Sequence, residues 1–312
     1  MGENQTMSMS GFSGSEGSKG VYTAVFRGKK HVRKNMPCQD ACSTGITGDG
    51  WIVMAVSDGV SSSPYSEKAA AAAVKAVVSF WREFKTCFQG ADEICPVLRS
   101  SMNYALMETD KIAEAGPEPY GFETTLLIVL VNRLKQEMYY AYVGDGGIYV
   151  LSKDERVYRL TDVMRDEEES VYTLSAGPEQ WKTGSRGLSD ISSILIVTDG
   201  ISDVISSSGE EFSAASLFVY REDDFRDSFR DHCEKVLATP LFLNMDDDAT
   251  IALCTLGEKS PAPWNDEEPS ESDSYKISGE GKCTVLHEPE TKDAGRGRKR
   301  NLLQSIFNFL KE

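Results

Sequence analysis

The chain has 312 residues, 40% of them hydrophobic and 26% charged, the proportions of a globular protein with a real core. Its formal net charge is −16, from 49 acidic against 33 basic residues, which argues against nucleic acid as a partner because gripping a phosphate backbone needs a basic surface. No apolar run reaches the roughly 18 residues of a membrane span. Seven cysteines (38, 42, 87, 95, 233, 254 and 283) show no Cys-x-x-Cys spacing, so they read as free thiols in a reducing, cytoplasmic setting.

Residues 1–19 are rich in Gly and Ser and are expected to form a disordered arm. The folded domain is expected over 20–257. It opens with a strand at 21–27, a basic loop at 28–40 and a further strand at 41–44. The apolar run 51–57 reads as a buried strand ending at Asp58-Gly59. Ser63 as N-cap and Pro64 at the first helical position predict a helix to about residue 84, through the five alanines 69–73. A second helix is expected over 92–115, stopped by Gly116-Pro117.

The pattern then turns to β. Residues 124–131 and 138–144 read as an antiparallel pair, with Thr124-Thr125 as β-strand sterics. Residues 147–151 and 156–160 read as a hairpin. The weakly periodic stretch 161–190 is expected to be a partly mobile functional loop. A strand at 194–198 precedes helical segments at 201–205, 208–219 and 223–237, and 250–256 closes the sheet. Blocks of strands separated by helix pairs predict an α+β layered fold. Residues 258–300 are a polar, Pro- and Ser-rich linker. Residues 301–312 are expected to form a short amphipathic helix that would dock on its own domain, on a partner or on a membrane surface.

Five aspartates stand at the ends of these strands: Asp40, Asp58, Asp145, Asp199 and Asp247, three followed directly by glycine. Any single Asp-Gly after a strand reads as a turn, since both residues tolerate positive φ. Five such acids converging on one sheet edge would repel, and cations must neutralise them or some must stay protonated. Hard oxygen donors with almost no usable His or Cys point to Mg²⁺ or Mn²⁺.

The run His31-Val-Arg-Lys-Asn-Met-Pro-Cys-Gln-Asp, then Val56-Ser-Asp-Gly-Val, resembles the opening of metal-dependent protein serine/threonine phosphatases of the 2C type. Gly121-Phe-Glu-Thr-Thr-Leu, Tyr142-Val-Gly-Asp-Gly-Gly-Ile-Tyr, Val197-Thr-Asp-Gly-Ile-Ser-Asp-Val and Asp247-Asp-Ala-Thr resemble that family's later elements, in its order. The likeness covers about 21–256 and is greatest to a divergent prokaryotic subgroup. It implies a four-layer αββα sandwich of two antiparallel sheets flanked by helices, and phosphoserine or phosphothreonine hydrolysis by a water activated between two divalent ions.

By the same resemblance, Asp58 would bridge the two ions and the Gly59 carbonyl would add a ligand. Asp199 and Asp247 would hold the first ion, Asp40 the second through water, and Asp145 with Asp199 a third. Arg33 matches the arginine that grips the substrate phosphate, and His31 is a second substrate-facing candidate, as proton donor. The departures are Gln39 for a glutamate, Asp248 for an asparagine, Gly146-Gly147 for Ser-Arg, and Val60 where many members carry a histidine. Cys38 and Cys42 read as packing residues. The expected partners are phosphorylated proteins and the cognate kinase that phosphorylates them. Two rival readings stay open: a catalytically weakened regulatory protein of the same fold, and a hydrolase of small phosphate esters.

Overall fold

The computed structural model describes residues 20–83, 90–116, 121–220 and 228–256. The expected arm (1–19), linker (258–300) and terminal helix (301–312) lie outside the described residues. Ten strands form in chain order: β1 (Val21–Phe26), β2 (Asp40–Ile46), β3 (Ile52–Asp58), β4 (Leu126–Asn132), β5 (Glu137–Val143), β6 (Gly147–Ser152), β7 (Val157–Arg159), β8 (Lys182–Gly187), β9 (Ile191–Val197) and β10 (Ala249–Thr255). Six helices accompany them: α1 (Lys29–Arg33), α2 (Ser66–Glu83), α3 (Ala91–Ala115), α4 (Asp199–Ser207), α5 (Glu211–Ser216) and α6 (Phe229–Leu237).

The strands make two five-stranded sheets, ordered β1-β10-β9-β6-β7 and β2-β3-β4-β5-β8. Every pairing is antiparallel. Helices α2 and α3 cover the second sheet, and α4, α5 and α6 lie against the first. The sheets face each other through β1, β10, β2 and β3. This is the four-layer αββα sandwich.

Strand periodicity explains the two cores. In β9, Ile194 and Ile196 point into the core between the sheets, whereas Leu195 and Val197 point toward the helices. In β10, Ala252 and Cys254 face inward, and Ile251 and Leu253 face the helices. Both faces are covered, so these strands read as unbroken apolar runs rather than as alternating ones. No helix among the described residues is long and apolar enough to cross a membrane.

Several local expectations change. The basic stretch after β1 contains a helical turn, α1, because the loop before β10 holds it: Lys30 N donates to Asp246 O at 2.9 Å. Helix α2 begins at Ser66, not at Pro64. Tyr65 N donates outside the helix to Gly121 O at 2.9 Å, and the Tyr65 ring stacks on Phe122 at 5.1 Å. The supposed loop at 161–190 contains an edge strand, β8, paired to β5. Its sequence, Lys-Thr-Gly-Ser-Arg-Gly, has no apolar alternation to announce it. Gly184 leaves room for Tyr140, whose ring would lie 2.4 Å from any Cβ there. Beyond α4, α5 is shorter than expected. Helix α6 starts with a reciprocal cap between Ser228 and Asp231, and 221–227 lie outside the described residues. Cys38, Cys42, Cys233 and Cys254 are free. Cys95 is disulfide-bonded, which corrects the reading of all seven as thiols.

Candidate metal centre

Sheet register carries the acids to one end of the sandwich. Asp40, at the start of β2, pairs with Asp58, at the end of β3. Leu126 pairs with Val143 at the end of β5, and Asp145 follows two residues later. Gly147 pairs with Val197 at the end of β9, two residues before Asp199. Phe26 pairs with Ala249 at the start of β10, two residues after Asp247. Carboxylate oxygens of Asp58, Asp145 and Asp199 lie within 4.8 Å of one another.

Asp58 and Asp145 are held by their backbones. The Asp58 carbonyl accepts from Thr125 N and the Thr124 hydroxyl, both at 2.8 Å, and Asp58 N donates to the Thr125 hydroxyl at 3.0 Å. The threonine pair therefore anchors the Asp58 peptide, beyond the steric role expected of it. Gly59 sits where three segments meet: a Cβ there would lie 2.7 Å from Gln39 O and 2.8 Å from Ser66. Asp145 occupies the crossing from one sheet to the other. Gly144 makes that crossing with φ of +118°. Arg159 donates to the Asp145 and Gly146 carbonyls at 3.0 and 3.3 Å.

The electrostatics are those of a site short of positive charge. Burial, more than anything else, pushes Asp40 up to about 7; the charge on Asp248 adds to this, and hydrogen bonds with Asp58 and Thr198 oppose it. Asp58 is raised well above the ordinary carboxylate value by burial, then by Asp40 and Asp199. Asp199 rises to about 6 through burial, then Asp145 and Asp247. Asp145 rises through burial, opposed by Arg165, whose Nη2 donates to its Oδ2 at 2.5 Å. An all-oxygen set with this excess of negative charge suits hard divalent cations, Mg²⁺ or Mn²⁺.

The remaining candidates lie on α1 and the loop it clasps. Asp247 is 43% exposed and pairs with Lys30 at 3.5 Å. His31 is buried between Asp248 and Asp247, so both ring nitrogens face carboxylates rather than an open cleft. Arg33 is exposed and grips Asp246 with both terminal nitrogens, at 2.8 and 3.3 Å. Three further residues belong to the centre. Thr198 donates its hydroxyl to Asp40 Oδ2 at 2.8 Å. Asp203 raises Asp145 and Asp199, and its place four residues after Asp199 on α4 is a signal the sequence did carry. Arg165 neutralises Asp145 from a segment with no local sign of it.

A groove of about 480 Å³ lies between Val60, Ser62 and Ser63, which follow Asp58 in the chain, and residues 170–173, 175 and 176. Its floor holds Glu123, whose Oε2 accepts from the Thr173 and Ser175 hydroxyls at 2.5 Å each. Glu123 stands next to the centre, because its carbonyl accepts from Val60 N at 3.0 Å.

A family model described as protein phosphatase 2C matches residues 27–243. Among solved structures, a bacterial serine phosphatase aligns with a TM-score of 0.62 at 14% identity, over 77% of this chain and 98% of that one. Serine/threonine phosphatase Stp1 from Staphylococcus aureus aligns at 0.59 and 14%, over 79% and 100%. The S. agalactiae serine/threonine phosphatase aligns at 0.59 and 19%, over 76% and 99%. At such identities these structures speak for the fold. Among curated proteins, none matches this chain. With the family's model spanning most of the folded residues and the acids gathered where the strands end, the chain belongs to the protein phosphatase 2C family and is an enzyme of the protein serine/threonine phosphatase class.

Proposed function

We propose that the protein hydrolyses phosphoserine and phosphothreonine in protein substrates at the acidic end of the sandwich, with two divalent cations, Mg²⁺ or Mn²⁺, and a third beside them. The observation that carries this reading is the meeting of Asp58, Asp145 and Asp199 from three separate strand ends. Asp58, the Gly59 carbonyl, Asp199 and Asp247 would hold the first pair together with Asp40, and Asp145 with Asp199 the third. Bound cations supply two things there: a lower pKa for attacking water and screening of the ester's negative oxygens.

The chain's own residues do the rest. The two threonines fix the Asp58 peptide, and Thr198 holds Asp40 from behind. Arg33 takes the substrate phosphate by exchanging an exposed carboxylate for it. Such surface pairs contribute only about 0–1 kcal/mol, whereas a guanidinium meets phosphate as a two-pronged fork. The groove lined by Val60, Ser62 and Ser63 receives the polypeptide around the phosphorylated residue, and Glu123 favours a basic neighbour. The proposed cytoplasmic setting must accommodate the disulfide at Cys95.

Phosphate release from phosphoserine peptides, measured with Mn²⁺, with Mg²⁺ and with EDTA, tests the reading. Turnover should need the metal and exceed that on small esters. Asp58→Asn should lower kcat by about three orders of magnitude, roughly 4 kcal/mol of barrier. Metal-independent turnover, or an Asp58→Asn variant as fast as wild type, sinks it.

A further inference from the structure

We infer that His31 supplies an imidazole nitrogen to the cation held at Asp247, so that this position is a mixed nitrogen and oxygen site rather than an all-carboxylate one. The inference rests on the proposal that divalent ions occupy the acidic end.

The hydrogen bonds around Asp248 fix which way the ring faces. Asp248 is 3% exposed. Its Oδ1 accepts from Gly28 N at 2.6 Å. Its Oδ2 accepts from Gln39 N at 2.6 Å and faces His31 Nδ1 at 2.7 Å. With two backbone N–H groups already donating to it, Asp248 acts as an acceptor at both oxygens, so Nδ1 is the donor. Nε2 is then the ring nitrogen turned toward Asp247. That nitrogen is buried and has no hydrogen-bond partner. It lies 3.8 Å from Asp247 Oδ1, beyond hydrogen-bond reach. A buried ring nitrogen facing a carboxylate oxygen calls for a positive charge between them, and 3.8 Å is too long for a shared proton but not for a metal ion. Bonds of about 2.1 Å to each would span separations from about 3 Å at a right angle to about 4.2 Å in line, and 3.8 Å falls inside that interval.

The arrangement is a carboxylate that orients a histidine toward a metal, with Asp248 fixing the ring as such partners do. It gives one departure from the family's sequence pattern a purpose. The acid at 248, in place of an asparagine, is what a ligating His31 requires. Lys30 flanks the other Asp247 oxygen at 3.5 Å, and Asp248 N donates to Oδ1 at 3.1 Å, which leaves Oδ1 a second lone pair for the ion. An imidazole ligand shifts preference from Mg²⁺, which takes oxygen, toward Mn²⁺ and later first-row ions.

Pulsed electron paramagnetic resonance on the full chain loaded with Mn²⁺ reads the bond directly. Wild type should show the ¹⁴N coupling of a coordinated imidazole, and His31→Gln should lose it. Calorimetry should show Mn²⁺ affinity falling about 10- to 100-fold in His31→Gln and in Asp248→Asn, with Mg²⁺ affinity changing less. Mn²⁺ bound to wild type without ¹⁴N coupling overturns the inference and leaves the proposed function standing. No Mn²⁺ binding at all overturns both. Because the wild-type spectrum decides alone, failure of His31→Gln to fold does not rescue the idea.

Discussion

Arg165 and Gly59 show how single residues set the state of the centre. Arg165 reaches Asp145 as a built-in cation at 2.5 Å. A divalent ion at Asp145 meets the repulsion of its positive charge. Arg165→Ala should therefore tighten Mn²⁺ binding at the weakest site by about fivefold, the equivalent of a partly exposed pair of roughly 1 kcal/mol. Calorimetric titration checks this, and unchanged or weaker binding contradicts it. Gly59→Ala should lower stability by about 1–3 kcal/mol through overpacking, because Gln39 O and Ser66 leave no space for a methyl group; an unaltered melting temperature would count against that. The aspartates were legible because each stands just past, or in Asp40 and Asp247 just before, a strand. Arg165 and Thr198 were not, since they act on acids 20 and 158 residues away through contacts that leave no local pattern. Arg33 was legible as a cation, but its partner Asp246 was not.

At the scale of elements, the start of β4 serves the end of β3. Thr124 and Thr125 hold the Asp58 peptide with three hydrogen bonds. Replacing both by Val keeps the β-branched shape and removes the hydroxyls, at about 1 kcal/mol of stability each. The expected outcome is a modest fall in melting temperature with a larger fall in kcat. A double variant with kcat within about twofold of wild type would show that strand pairing alone positions Asp58. The buried strands β3, β4, β9 and β10 were readable from their apolar runs. Strand β8 was not, because it is an edge strand built by backbone pairing around two glycines. Helix α1 was missed for a related reason: its single turn is held by the loop before β10, not by its own propensity.

For the whole molecule, the acidic end costs stability unless cations fill it. Burial and neighbouring acids push Asp40 and Asp199 up to about 7 and about 6 in the folded chain, from the ordinary carboxylate value of 3.8. Over that interval the folded state binds more protons than the unfolded one, so stability falls as pH rises. In EDTA the melting temperature should drop between about pH 4 and pH 7, and saturating Mn²⁺ should remove most of that drop. A flat profile in EDTA would mean the acids are not crowded as described. The layered fold was legible from the order of strands and helices, whereas the raised acids emerge only once distant strand ends share one edge. The most direct measurement is Mn²⁺ calorimetry on wild type and Asp58→Asn at neutral pH. Saturable binding of more than one ion in wild type, with most of it lost in the variant, is the predicted result; equal heats from the two proteins, or none from wild type, would contradict it.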